Sequence, residues 1–354
     1  MSFVVVISTY CSDDGEGATT YVDGDWEIND TTTLRDGTWV VNGSVYVMDN
    51  KLTLDNAELI FNLTEGGTPL LYVSQDAELE AYGSEIRDNG SGVLVEINGD
   101  TVLDNTTVTN LYEWGVAGIT HRGGELLLDH CRLENGNTLI ESNGSIIVRS
   151  CELAAFDNYG LQIRHTYMTP GPNVVVKGTS ITNNWASYYG IGLYIMSEGS
   201  PTQMGRFTVT DCYFNGLNYG IYVNQPGGGG YLTVQGNTAE NCTYGVYLDR
   251  VDSTATFSGN TWGAHSSGYG FIIYPDSSGW PDVNNETITG GRYGLYISGS
   301  YGPSTFRDIR ITGVWAGVYL QYGTAYLYDS YVRSSSYDFY VGDGQLYLHV
   351  CDHT

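Results

Sequence analysis

Lysine is almost missing from this chain of 354 residues. Lys51 and Lys177 are the only two, and 14 Lys and Arg stand against 40 Asp and Glu for a net charge of −26. Such a surface repels phosphate backbones and anionic lipid, which argues against nucleic acid or a membrane surface as partner. Long apolar runs are missing too. No stretch of about 18 apolar residues occurs, so no transmembrane segment is expected. The six cysteines (Cys11, Cys131, Cys151, Cys212, Cys242 and Cys351) show no CxxC and no zinc-finger spacing with histidine, which argues against structural zinc. What is plentiful is glycine (47), tyrosine (30) and a 41% hydrophobic content. That is material for a core and for many tight turns, and it is unlike a disordered chain.

Nine segments repeat one theme: WGVAGI (Trp114–Ile119), YGLQI (Tyr159–Ile163), YGIGLYI (Tyr189–Ile195), YGIYV (Tyr219–Val223), YGVYL (Tyr244–Leu248), YGFII (Tyr269–Ile273), YGLYI (Tyr293–Ile297), WAGVYL (Trp315–Leu320) and YDFYV (Tyr337–Val341). From Gly220 the anchor steps by 25, 25, 24, 23 and 21 residues through Gly245, Gly270, Gly294 and Gly317 to Asp338. A period in the twenties with short strands in each unit is the mark of a solenoid.

Tyr219–Glu240 serves as a sample coil. Ile221 and Val223 share one face of the first strand and Tyr222 takes the other, because strand side chains alternate. A Gly-rich turn (Gly227–Gly230) leads to a second strand, in which Leu232 and Val234 oppose Thr233 and Gln235. The apolar residues fill a common interior only if coils stack in register, with parallel strands about 4.8 Å apart. The turns are too short for crossover helices, and parallel connections favour the right hand.

The second strand has its own repeat: LTLDNA (Leu52–Ala57), LLLDHC (Leu126–Cys131), IIVRSC (Ile146–Cys151), VVVKGT (Val174–Thr179), FTVTDC (Phe207–Cys212), LTVQGN (Leu232–Asn237) and ATFSGN (Ala255–Asn260). Alignment puts Cys131, Cys151, Thr179, Cys212, Asn237 and Asn260 in one turn column, with Asn285 expected next. Small polar side chains stacked at a turn form a ladder that bonds to the turn backbone. The three cysteines are therefore read as ladder positions rather than nucleophiles or ligands. Cys131 and Cys151 fall within disulfide range on adjacent rungs, and nothing requires the bond.

With these turn ladders the chain resembles the right-handed parallel β-helix proteins of the pectate-lyase-like superfamily. More narrowly, it resembles repeat-rich β-helix regions of archaeal and bacterial secreted or cell-surface proteins, and Gly24–Asn62 is similar to the lead-in of archaeal secreted β-helices. The likeness covers about residues 24–350. It implies an all-β fold, a single-stranded right-handed parallel β-helix (β-solenoid) of about a dozen coils, and an extracellular or cell-surface location suited to adhesion. Residues 1–40 are assigned to an N-terminal cap and lead-in strand segment, 41–340 to the helix and 341–354 to a C-terminal cap. Trp26 and Trp39 are expected to help close the first end. The opening SFVVVIST reads either as a remnant of a secretion signal or as a capping strand.

The outward column of the first strand, Tyr194, Tyr222, Tyr247, Tyr296, Tyr319 and Tyr340 with Ile272 interrupting it, is the candidate binding surface. Such a stripe either shields the sheet or binds sugar rings, another protein or a second copy. Enzymes of the resembled fold need acids and bases over a groove. Arg164, His165, Asp249 and Arg250 are the ionisable cluster there, but Arg164 and Asp249 lie three coils apart, about 14 Å at the rung spacing. Glu125, Asp129 and Glu134 are read as solvated surface, and His121, His130, His265, His349 and His353 as surface or turn residues. Asp13–Asp14 lies in the terminal segment. Eight Asn-x-Ser/Thr sequons, at Asn29, Asn42, Asn62, Asn89, Asn105, Asn143, Asn241 and Asn285, would accept glycans outside the cell.

The reading is a non-enzymatic scaffold that presents a tyrosine-rich face to a polysaccharide, a surface glycan or a protein. Open strand edges leave a homo-oligomer or filament available to it. No catalytic residue and no metal site is assigned. No cofactor is expected, with weak calcium binding the most that the acidity implies. The alternative is a polysaccharide lyase or glycoside hydrolase of acidic glycans working near Arg164 and Asp249.

Overall fold

The computed structural model describes residues 7–8, 18–63, 67–90, 92–112, 115–166, 172–183, 189–198, 205–224, 231–251, 253–275 and 279–353. Cys11, Asp13–Asp14, Trp114 and the Gly227–Gly230 turn lie outside them, as do most of SFVVVIST and the side chains of His165 and His353. Among the described residues every regular element is a β-strand, and the chain winds as a right-handed parallel β-solenoid of about a dozen turns. Ile7–Ser8 is the exception in direction, running antiparallel to Thr19–Val22. Two compact units divide the chain, residues 1–161 and 162–354.

In the first unit, Lys51–Asp55, Glu78–Tyr82, Asp100–Asp104, Glu125–Asp129 and Ser145–Arg149 lie side by side in register. One interior column runs Leu54, Ala81, Leu103, Leu128, Val148, and a second runs Leu52, Leu79, Thr101, Leu126, Ile146, all buried. Alternation with a period of two turns each strand into one apolar and one wet face, and register stacks the apolar ones. Thr101 breaks the second column, and its buried hydroxyl has no partner. Trp26 is buried in the strand Trp26–Ile28, and Trp39 is half-buried in Thr38–Val41.

His121 departs from the surface position expected for it. It is fully buried, with Nδ1 2.8 Å from Ser142 Oγ and Nε2 3.3 Å from the Gly124 carbonyl. Burial lowers its pKa. The segment AGITH sits in register with TLIES one coil on, and alternation carries His121 inward behind Ile119.

In the second unit an interior column runs Val176, Val209, Val234, Phe257, Val283, Phe306 and Leu327. Phe271 packs edge-on against Phe257 and Trp262, at 5.6 and 6.2 Å. Residues 341–349, assigned from sequence to a C-terminal cap, run in register against Leu320–Tyr328 as part of the strand Tyr331–His349. Val341 and Leu348 are exposed in that last rung.

A recurring turn follows the second strand of each coil. One residue takes a left-handed φ: Asn56, Gly83, Asn105, His130 and Ser150 in the first unit, and Gly178, Asp211, Gly236, Gly259, Asn285, Asp308 and Asp329 in the second. Gly, Asn and Asp tolerate that region best. The next residue points inward and bonds to the coil beside it. The Ala57 N–H donates to Ser84 Oγ at 3.1 Å, Cys131 N–H to Cys151 Sγ at 3.4 Å, Cys212 N–H to Asn237 Oδ1 at 2.9 Å and Asn237 N–H to Asn260 Oδ1 at 2.9 Å. Thr179 is buried at the equivalent place and donates to the Lys177 carbonyl at 3.1 Å. No disulfide joins Cys131 and Cys151. The column continues through Glu286 rather than Asn285, because Asn285 takes the left-handed position one residue earlier.

Candidate functional site

The tyrosine face depends on a glycine. Strict alternation would send the two tyrosines of Tyr-Gly-x-Tyr to opposite faces. In Tyr219–Asn224, Tyr219 and Tyr222 both stay half-buried at the surface, whereas Gly220 and Ile221 are both buried. A Cβ on Gly220 would lie 2.6 Å from the Gly245 carbonyl oxygen, one on Gly245 2.6 Å from that of Gly270, and one on Gly294 2.7 Å from that of Gly317. Only glycine admits such close backbone approach. The local irregularity turns two consecutive residues inward and brings the following tyrosine back to the outer face.

Two columns result. In one, Tyr219 and Tyr244 stack at 4.5 Å and 12°, Tyr244 and Tyr269 at 5.4 Å, and Tyr269 and Tyr293 at 4.9 Å. Ala316 takes the next place in register, and the adjacent Trp315 stands edge-on between Tyr293 and Tyr337 at 5.8 and 5.5 Å. The other column is the one aligned from sequence. Tyr194, Tyr222 and Tyr247 follow at 5.0 Å each, and Tyr296, Tyr319 and Tyr340 stack at 5.1 and 4.8 Å within 5° of parallel. Ile272 holds the intervening register position, yet Tyr274 spans the gap with its ring 5.6 Å from Tyr247 and 6.1 Å from Tyr296. Contacts such as Tyr219–Tyr247 at 5.6 Å and Tyr293–Tyr319 at 5.2 Å join the columns.

The array is less exposed than alternation alone implied. Tyr194 is only 9% exposed, most members are half-buried, and Tyr340 reaches 44%. Where the rings stack, their faces cover one another, so edges and hydroxyls are what remain for a partner. Each stacked or edge-on pair also contributes about 0.5–1.5 kcal/mol to the fold. Burial pushes the phenols of Tyr222, Tyr247 and Tyr274 up to about 12, so these groups are neutral in neutral water. Tyr296 donates to Gln321 Oε1 at 2.6 Å. The Arg292 guanidinium lies over Tyr293 and Trp315, at 5.3 and 5.5 Å from the ring centres. The sequence reading missed the column led by Tyr219, together with Tyr274 and Trp315. The tyrosine preceding each anchor glycine was the available signal.

Other candidate chemistry is sparse. Asp249 shares a register position with Asn224 and Tyr274, neither of them an acid, and lies 3.7 Å from Arg250. Arg250 donates to Asn224 Oδ1 at 2.7 Å. Arg164 donates to the buried Gln162 amide oxygen at 3.0 and 3.2 Å, with that amide oriented to receive it.

In the first unit a polar groove of about 500 Å³ is lined by Thr38, Asn56, Glu58, Glu85, Asn105 and Thr107 among others. Both of its glutamates are already paired with Arg87, whose Nε stands 2.9 Å from Glu58 and 3.3 Å from Glu85. Among the described residues Asp104, Asp129 and His130 are the acids and histidine grouped closely enough for a cation. Asp129 already accepts from Arg149 at 2.7 Å. Of the remaining residues read as surface, Glu125 is exposed, while Glu134 is bound by Arg132 at 2.7 Å.

Charge and tyrosine separate along the chain. Residues 1–161 carry 27 Asp and Glu, 6 Lys and Arg, and 7 Tyr; residues 162–354 carry 13, 8 and 23. The tyrosine array thus sits on the nearly balanced unit.

Solved structures with a similar course include the catalytic unit of a thermostable GH87 α-1,3-glucanase from Streptomyces thermodiastaticus (13% identity, TM-score 0.40, 95% of this chain and 63% of that one). Another is a tailspike protein mutant of E. coli bacteriophage HK620 in complex with a pentasaccharide (12% identity, TM-score 0.32, 90% of this chain and 63% of that one). The chain spans less than two thirds of the length of either. No curated protein matches the sequence significantly. No helix among the described residues is long and apolar enough to cross a membrane. The family described as "right handed beta helix region" matches residues 70–228 and 192–308, and the chain belongs to that family.

Proposed function

We propose that the protein is a non-enzymatic, extracellular or cell-surface scaffold whose tyrosine array binds a neutral glycan lengthwise. The carrying observation is the array itself: twelve tyrosines and Trp315 in continuous ring contact, with edges and neutral hydroxyls at the surface. Phenol hydroxyls both donate and accept, as sugar hydroxyls do. The ring spacing of 4.5–5.4 Å along the stacked column is comparable to one sugar unit of an extended chain. Residues 162–354, which carry the array, hold 13 Asp and Glu against 8 Lys and Arg, an excess that does not favour anionic polymers. A protein partner would meet the same surface through the aromatic edges.

A glycan array, with product release from neutral and acidic polysaccharides assayed in parallel, tests this. Binding that Tyr247→Ala and Tyr296→Ala abolish, without product release, supports the reading. Product formation lost on changing Asp249 or Arg164 would replace it with the lyase or hydrolase alternative.

A further inference from the structure

We propose that the tyrosine array is also a site of oxidative modification, where a one-electron oxidant joins tyrosines of successive coils as dityrosine. The stack holds pairs of phenols in the arrangement that this coupling needs. Tyr219 and Tyr244 lie 4.5 Å apart at 12°, Tyr319 and Tyr340 4.8 Å apart at 5°, and Tyr296 and Tyr319 5.1 Å apart at 4°. Nearly parallel rings at these distances bring the ortho carbons of the two phenols close to one another. Register keeps them there, because each pair sits on directly opposed residues of adjacent rungs.

The chemistry balances with hydrogen peroxide and a haem peroxidase as the oxidant. Each phenol loses one electron and its hydroxyl proton. The two phenoxyl radicals then couple through their ortho carbons, forming one C–C bond. Each ring restores its aromaticity by moving the ortho hydrogen to oxygen. Overall, two phenols and one hydrogen peroxide give one dityrosine and two waters.

The array also answers how a bulky oxidant reaches half-buried rings. Tyr337 and Tyr340 are 51% and 44% exposed. From them the ring contacts run without a break to Tyr219, so an oxidation begun at the accessible end can pass by electron exchange between neighbouring rings. Tyr189 and Tyr231, 75% and 63% exposed, are more accessible, but among the described ring contacts neither stacks on the array. The product would tie one coil to the next across about 25 residues of chain, restricting the unfolded state as other cross-links do.

The test treats dilute full-length protein with horseradish peroxidase and hydrogen peroxide, then maps linked peptides by mass spectrometry. The expected product is monomer-sized, two hydrogens lighter per link, and carries Tyr219–Tyr244 or Tyr319–Tyr340 links whose yield is unchanged by tenfold dilution. Tyr244→Phe should erase the first link and spare the second, with thermal unfolding confirming that the variant is folded. Links found only between chains, falling with dilution, or confined to Tyr189 and Tyr231 would overturn the proposal. Glycan binding plays no part in this experiment, so its outcome is independent of the proposed function.

Discussion

Glu286 accepts hydrogen bonds from both the backbone N–H and the side-chain amide of Asn260, at 3.3 and 2.9 Å, in the turn column where the two preceding coils carry asparagine. Its second oxygen takes the indole N–H of Trp262, and the side chain is 1% exposed. Burial outweighs these three donors and raises its pKa to about 7.

A pH dependence of stability follows. The folded value lies above the unfolded one of 4.5, so the native state binds this proton more tightly. The contribution is fully present below pH 4.5 and is lost as pH rises through 7. From the linkage relation it amounts to about 3 kcal/mol across that window. Urea unfolding of wild type and Glu286→Gln from pH 4 to 8 should show curves that separate over this range and run parallel above it. Parallel curves throughout would mean that the carboxyl titrates normally.

The glycine column should tolerate no methyl group. At Gly245 an added Cβ meets the Gly270 carbonyl at 2.6 Å and Trp262 Cβ at 3.0 Å, both held by the core. Gly245→Ala is expected to cost about 1–3 kcal/mol, as overpacking does. The urea midpoint reads this directly.

Thr101 offers the opposite case. Its hydroxyl is buried among leucines without a partner. Thr101→Val keeps the branched shape and removes the unsatisfied group, for a gain of about 1 kcal/mol. An unchanged or lowered thermal midpoint would show that the hydroxyl is satisfied in solution.

Thiol reactivity should single out one described cysteine. Burial pushes Cys212 up to about 11 and Cys242 up to about 12, and Cys131 and Cys151 are buried, while Cys351 is partly accessible. Alkylation of native protein followed by peptide mapping should label Cys351 first, with the other four reacting only on unfolding. Rapid labelling of Cys212 would contradict its position in the turn column.

The solenoid and its strand register were readable in the sequence because parallel in-register stacking maps a repeat directly onto a column in space. Tyr222 opposite Tyr247, and Cys212 beside Asn237, follow from counting. Counting failed by one residue at Asn285, where a left-handed turn residue and a ladder residue are both polar. It failed differently at His121, whose polarity suggested a surface that alternation denied it.

Repetition in the amino-acid order by itself determined the class of fold, the period and which residues share a column, since each coil can bury its apolar face only against a like neighbour. The tertiary structure alone decided what those columns present. The backbone irregularity at Gly220, Gly245 and Gly294 set both tyrosines outward, stacking covered ring faces and left edges exposed, Arg87 paired with two glutamates, and burial raised Glu286 towards neutrality. These outcomes depend on distances and solvent access between neighbouring coils, which a one-dimensional period does not contain.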